Sequence, residues 1–111
     1  MTFSVAGFCE RTGMVGVAIT SSSISVASRC PWVRARVGAA STQNITDPSL
    51  GDAMLDLIAK GSSSEQAIEI VTKDRKFIDY RQLTVINNKG QSSSFSGTKT
   101  LGTHAVAQGH D

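Results

Sequence analysis

At 111 residues the chain has room for one small domain, and 40% hydrophobic with 18% charged residues is an ordinary balance for a globular fold. A formal charge of +2 is too small for nucleic-acid binding, which needs clustered Lys and Arg to neutralise phosphates. Aromatic residues make up only 5%, so the core must come from Val, Ile, Leu, Met and Ala.

Thr2 to Phe8 alternates loosely and reads as a strand. Glu10-Arg11-Thr12-Gly13 has the composition of a hairpin turn, Gly13 supplying the positive φ. Met14 to Thr20 follows as a second strand, apolar at almost every position and so expected to be covered on both faces. Gly16 in its middle suggests close approach by another layer. Ser21-Ser22-Ser23 reads as a bend with hydroxyls near a cleft, and Ile24 to Ala27 as an extension of the sheet. Pro31, which lacks an N–H, is expected to end any regular ladder. Val37 to Thr42 is a strand of small residues.

The middle is helical. Leu50, Ala53, Met54, Leu57 and Ile58 form one stripe, with Ser49 as cap and Gly61 at the left-handed C-terminal position. A second helix is predicted from near Ser63, with Ser62 and Glu65 as a capping box and Ala67, Ile68, Ile70 and Val71 as its buried face. The short link makes the two helices an antiparallel pair on one side of the sheet. Tyr80 to Ile86 returns to strand, with Leu83 and Val85 on one face and Tyr80, Gln82 and Thr84 on the other. Asn87-Asn88-Lys89-Gly90 is a strong turn signal leading into a partner strand, Gln91 to Ser96. Ala105-Val106-Ala107 reads as a short final strand. Strands in blocks with the helices between them make the fold class α+β.

The two cysteines, Cys9 and Cys30, form neither a disulfide framework nor a metal-ligand spacing. Cys9, in an apolar run, reads as a small core residue. No basic region with an apolar run opens the chain, and no stretch approaches a membrane span. A cytoplasmic protein with reduced thiols and no membrane partner is therefore expected. No phosphate-cradling glycine loop and no G-x-S-x-G elbow occurs. His104, His110 and Asp111 read as exposed residues rather than ligands, so neither a metal nor a cofactor is expected. Asp47, Asp52 and Asp56 suit a helix start and its solvent face, not a catalytic pair. Arg29, Arg34 and Arg36 form a local basic stretch that is either a solvated loop face or a holder of an anionic substrate.

Thr2-Phe3-Ser4-Val5-Ala6, Gly13-x-x-Gly16-Val17-Ala18, Arg29-x-Pro31-Trp32-x-Arg34 and Gly38-Ala39-x-x-Thr42-Gln43 follow one another along the chain. The Asp47-Pro48-x-x-Gly51 segment, the helix pair and the Asn88-x-Gly90 hairpin continue the series. Together they resemble an uncharacterised bacterial family classed as Ntn-hydrolase-like, within the N-terminal nucleophile hydrolase superfamily. The resemblance implies a four-layer αββα sandwich of which this chain forms about half, as the N-terminal part of a longer precursor. It implies amide hydrolysis by a Thr, Ser or Cys at the first position of a chain. There the free α-amine, with a pKa near 8, takes the proton of its own side chain before attack on a carbonyl.

Two places for that nucleophile follow. Thr2 serves if Met1 is removed; otherwise it is the first residue of an edge strand. The family often carries Lys where this chain has Ser22, which removes a cation that would have lowered the nucleophile's pKa. The second place lies beyond Asp111. Gly109-His110-Asp111 resembles the junction at which glycosylasparaginases cut themselves, so His110 and Asp111 are expected to serve processing. The expected protein is then the α chain of a self-processed, two-chain amidohydrolase, grouped into a higher homo-oligomer of αβ units. Its partner chain opens on the nucleophile, and its substrate is a small amide, lactam or ureido compound. Ser21, Arg29, Thr42, Gln43 and Asn44 are expected to contact substrate or oxyanion. The rival is a non-enzymatic α+β binding or assembly module, which the Ser22 departure keeps open.

Overall fold

Alternation builds the first hairpin of the computed structural model, which describes residues 1–109. β1 (Thr2–Phe8) pairs antiparallel with β2 (Val15–Ser21), setting Thr2 opposite Ser21 and Phe8 opposite Val15. Every second residue of both strands is half-buried and the others face outward. Met14 to Thr20 is therefore not covered on both faces as its apolar run suggested. Its outer side meets no other layer among the described residues, and a Cβ at Gly16 would find no atom within 4 Å. Cys9 is not a core residue either: it opens the turn, where its N–H donates to the Met14 carbonyl at 2.8 Å.

The next segment departs from expectation in two places. Ile24 to Ala27 is not strand. Ser25 lies in the left-handed region and the Ser28 hydroxyl donates to its carbonyl at 2.8 Å, winding Val26–Ser28 into a 3-10 turn and leaving Ile24 88% exposed. Pro31 does not end a ladder but begins one. It opens β3 (Pro31–Arg34) at the edge of a sheet, at a first-strand position where a missing N–H is tolerated.

β4 (Gly38–Asn44), β5 (Arg81–Asn87) and β6 (Ser92–Ser96) complete an antiparallel sheet in the order β3-β4-β5-β6. Tyr80 belongs to the 3-10 turn Ile78–Tyr80, so β5 starts one residue later than its polar alternation implied. Ala105-Val106-Ala107 joins no strand; its tie to the sheet is the Gln82 side chain, which donates to the Ala105 carbonyl at 3.4 Å.

α1 (Ser49–Ala59) and α2 (Ser64–Thr72) cover one face of this sheet. Leu50, Met54, Leu55, Ile58, Ala67, Ile68 and Val71 pack from the helices onto Ala40, Leu83 and Val85. Ile70 is 53% exposed, because at three residues beyond Ala67 it has rotated past the stripe that Ala67, Ile68 and Val71 define. Ser63 and Gln66, not Ser62 and Glu65, make the capping box. The Ser63 hydroxyl accepts from the Gln66 N–H at 3.1 Å, and the Gln66 side chain accepts from the Ser63 N–H at 2.9 Å. At α1 the capping oxygen comes from Asp47 rather than Ser49; its Oδ1 accepts from the Ser49 N–H at 3.1 Å and the Ser49 hydroxyl at 2.6 Å.

Asp47 also pairs with Arg75 at 2.7 Å and lies 4.0 Å from the buried Arg81 guanidinium. Burial works to raise the Asp47 carboxyl, but the Ser49 and Arg75 hydrogen bonds and the Arg75 charge outweigh it and hold the pKa below the usual range. A folded-state pKa depressed below the unfolded value stabilises above the unfolded pKa, and that stability is lost as pH falls through the folded pKa. Asp47→Asn is accordingly expected to cost roughly 0.5–1 kcal/mol at neutral pH. In urea titrations the gap between variant and native midpoints should close as pH drops below the carboxylate range; a gap that persists there would rule out the ion pair as its source.

Gly51 is the other close fit. A Cβ there would lie 2.2 Å from the Trp32 ring carbons nearest the backbone, which no rotation of a flexible tip relieves. In an open helix Ala would be favoured over Gly by about 1 kcal/mol. Here Gly51→Ala is expected to lower stability by about 1–3 kcal/mol through overpacking. A raised thermal midpoint in the variant would show that the indole has room to move.

The opposite face of the four-stranded sheet meets the β1–β2 hairpin, with the Ser41 hydroxyl 3.4 Å from that of Ser4. The result is an α+β fold of two antiparallel sheets and two helices. The layer order is helix pair, four-stranded sheet, two-stranded sheet. Phe3 and Val5 remain 69% and 58% exposed on the outer side of the last layer.

Candidate functional site

Register decides which side chains meet between the sheets. On β5, Leu83 and Val85 enter the helix-side core, so Gln82, Thr84 and Ile86 face the hairpin. Pairing then sets Gln43 and Ser96 beside Gln82, and Ser94 beside Thr84. β1 stands over this floor, and residues 103–109 run along its side. The space between is a cleft of about 810 Å³, within the size range of small-molecule sites.

Thr2 lines the cleft, and its hydroxyl is 2.9 Å from that of Ser21, which is not itself in the lining. The Ser21 oxygen also accepts from the Ser23 N–H at 3.1 Å, which holds the bend. The Met1 amine donates to the Ser22 hydroxyl at 3.3 Å. Gln43 and Asn44 line the same cleft. Asn44 has φ 69, and its Oδ1 accepts from the Leu101 N–H at 2.9 Å, leaving Nδ2 as the donor end. Gln82 is fixed from two sides: its Nε2 donates to the Ser96 hydroxyl at 3.2 Å and the Ala105 carbonyl at 3.4 Å.

Not all the residues expected at the site converge here. Thr42 projects from the other face of β4, where its hydroxyl donates to the Arg29 carbonyl at 3.1 Å and its N–H to the Cys30 carbonyl at 2.9 Å. It clamps the segment before β3 and does not line the cleft. Arg29 is also absent from the lining; its guanidinium donates to the Ser23 hydroxyl, to the Ile24 carbonyl at 3.2 Å and to Thr46 Oγ1 at 3.3 Å. It therefore braces the Ser21–Ser23 bend from behind. Arg34 pairs with Asp56 at 2.6 Å and Asp52 at 3.4 Å on the surface, so the basic stretch does not converge on one anion site. His110 and Asp111 lie outside the described residues. Gln82, Thr84 and Ser94 were not foreseen as site residues. Their signal was the alternation of β5 and the serines of β6, legible only once the helix-facing side is known.

The thiols stand apart from the cleft lining. A hydrogen bond from the Thr12 side chain lowers the pKa of Cys9 in its turn, while burial pushes the Cys30 thiol up. Among the described residues no cluster of three or more His, Cys, Asp or Glu could hold a metal ion, and no helix is long and apolar enough to cross a membrane.

Residues 2–111 match a family described as "Family of unknown function (DUF1028)". The chain belongs to this family. It is similar to the crystal structure of protein SPO2555 from Silicibacter pomeroyi, whose description names the same family, with 26% sequence identity and a TM-score of 0.86. The match covers 89% of this chain and 46% of the Silicibacter chain, so this chain spans about half the length of that relative. None of the curated proteins matches it. More than half of the length of the relative lies outside the match.

Proposed function

We propose that the cleft is the active site of an N-terminal-nucleophile amidohydrolase, with Thr2 as nucleophile once Met1 is removed. The observation that carries this reading is the Thr2–Ser21 hydroxyl pair at the cleft, one residue from a fully exposed Met1. Removal of that one methionine places an α-amine on the residue that bears the hydroxyl. With a pKa near 8 the amine is available as a base close to neutral pH. It takes the Thr2 hydroxyl proton as the oxygen attacks an amide carbonyl, and returns it to the leaving nitrogen as the C–N bond breaks and the acyl-enzyme ester forms. Water, deprotonated by the same amine, then cleaves the ester, freeing the acid and the Thr2 hydroxyl. Ser21 orients the hydroxyl, and Asn44 Nδ2 is the donor assigned to the developing oxyanion. The substrate in this reading is a small amide, lactam or ureido compound.

In the same reading the two sheets are the inner layers of an αββα sandwich. Further polypeptide supplies the helices over the β1–β2 hairpin, consistent with its exposed Phe3 and Val5 and with the greater length of the Silicibacter relative. That polypeptide arrives either as a continuation of one chain or as a second chain freed by a cut after Asp111. The second route would move the nucleophile to the new terminus. Against both stands a binding module without catalysis, which Ser22 in the place of a lysine favours because the side chain at that position carries no charge.

Intact-mass analysis combined with a hydroxyl-reactive β-lactone separates these readings. The expected result is loss of one methionine and a single adduct on the Thr2 peptide. An adduct on a residue following Asp111, with two chains in the spectrum, would move the nucleophile there. Complete loss of Met1 with no adduct anywhere would favour the binding module.

A further inference from the structure

The amide groups of Gln43 and Gln82 settle each other's orientation. The Ala105 carbonyl can only accept, so the Gln82 amide must turn its Nε2 toward it, at 3.4 Å. Gln82 Oε1 is thereby turned to Gln43, whose Nε2 donates to it at 3.0 Å. Reversing Gln43 would set two carbonyl oxygens against each other. The remaining atom, Gln43 Oε1, is buried and has no hydrogen-bond partner among the described residues, on a residue only 9% exposed. A buried acceptor left without a donor is costly. Trp32 Nε1 and Arg81 Nε are also buried without a partner, but of the three only Gln43 belongs to the cleft lining.

The charge around it is equally specific. Among the described residues no Asp, Glu, Lys or Arg side chain lines the cleft. A carboxylate brought against Gln43 Oε1 would meet a second acceptor, the terminal amine at the cleft being held by the Ser22 hydroxyl. An ammonium would find a hydrogen-bond acceptor but no counter-ion, and a charge leaving water without a partner is strongly disfavoured.

We infer that Gln43 is a specificity-determining residue whose Oε1 accepts from the N–H of an uncharged carboxamide or ureido group. Gln82, Ser96 and the Ala105 carbonyl serve as the relay that fixes its orientation. The inference rests on the cleft being the substrate site of the proposed hydrolase, and it narrows that substrate to one presenting a neutral N–H donor at the Gln43 end.

Binding of butyramide, butyrate and butylammonium to the purified protein, read by ligand-observed NMR titration, tests it without any need for turnover. The native protein should bind butyramide at least several-fold more tightly than either ion. Gln43→Met, of similar length but without an acceptor, should weaken butyramide about tenfold and leave the two ions unchanged. Equal or tighter binding of butyrate or butylammonium by the native protein would overturn the assignment. So would an unchanged butyramide affinity in folded Gln43→Met, which would mean that the buried oxygen is satisfied by water. If that variant does not fold, the ratio among the three probes in the native protein decides. Repeating the titration in Thr2→Ala separates this inference from the catalytic one: butyramide selectivity that survives there stands even if Thr2 proves not to be the nucleophile.

Discussion

Thr2→Ala is expected to reduce β-lactone labelling and amide hydrolysis by about 10³-fold or more, the scale of removing a nucleophile from an enzyme that attacks covalently. Thr2→Ser should restore much of both, because it keeps the hydroxyl and the amine on one residue. The structural cost of the alanine variant is small. Thr2 is half-buried at the start of β1, and its side-chain tie is the one hydrogen bond to Ser21. Its stability should change by less than about 1 kcal/mol. Loss of activity at unchanged thermal midpoint is thus the signature of a catalytic Thr2. Hydrolysis within a few-fold of native in Thr2→Ala would falsify the assignment and leave the terminus after Asp111 as the place to search. Measuring kcat and KM separately sharpens this, since a residue that only shaped the cleft would raise KM and spare kcat.

Leu83→Ala is expected to cost about 2–5 kcal/mol, as for other large-to-small changes in a close-packed core. Leu83 is fully buried at the centre of β5 and packs under both helices. Its neighbours on the sheet are hydrogen-bonded on both sides, through Thr42 on β4 and Phe95 on β6, so the backbone cannot close over the gap. Against the 5–15 kcal/mol by which folded domains exceed their unfolded states, that loss is large enough to shift a urea midpoint visibly. The same substitution should disturb the cleft, because Gln82 and Thr84 flank Leu83 on the strand and take their positions from it. A cost under about 1 kcal/mol, well below the core range, would mean that the helices close onto the sheet as the side chain shrinks.

The helix pair was legible because its signal is local and repeated. Leu50, Met54 and Ile58 recur at helical spacing, and Gly61 closes the helix with φ 102 where a left-handed residue was expected. The Asn87–Gly90 turn was equally plain, its Asn87 side chain accepting from the N–H groups of Lys89 and Gln91. The capping box slipped by one residue because Ser62, Ser63 and Ser64 are chemically equivalent caps, and only docking of α2 on the sheet distinguishes them. The two-sided burial expected of β2 failed for a related reason: an apolar run states that a face can be covered, not that a layer is present to cover it.

The candidate site divides along the same line. Thr2, Ser21, Gln43 and Asn44 were identifiable as polar residues at strand ends and bends; the fold sets Thr2, Gln43 and Asn44 in the lining of one cleft and Ser21 against Thr2. Thr42 and Gln43 looked alike in sequence, yet they leave β4 on opposite faces: one clamps the Arg29 carbonyl and the other lines the cleft. A single step along a strand reverses a side chain's direction, so no property of the residues themselves could separate them.

Composition, helical period and turn chemistry determined that this chain is an α+β domain with a helix pair and two hairpins, since each of those signals is carried within a few consecutive residues. Only the tertiary structure decided that Gln43 and Gln82 lock one another and leave one buried oxygen without a donor among the described residues. That outcome depends on strand register and on a carbonyl 23 residues away at Ala105, a distance in sequence across which no local pattern extends.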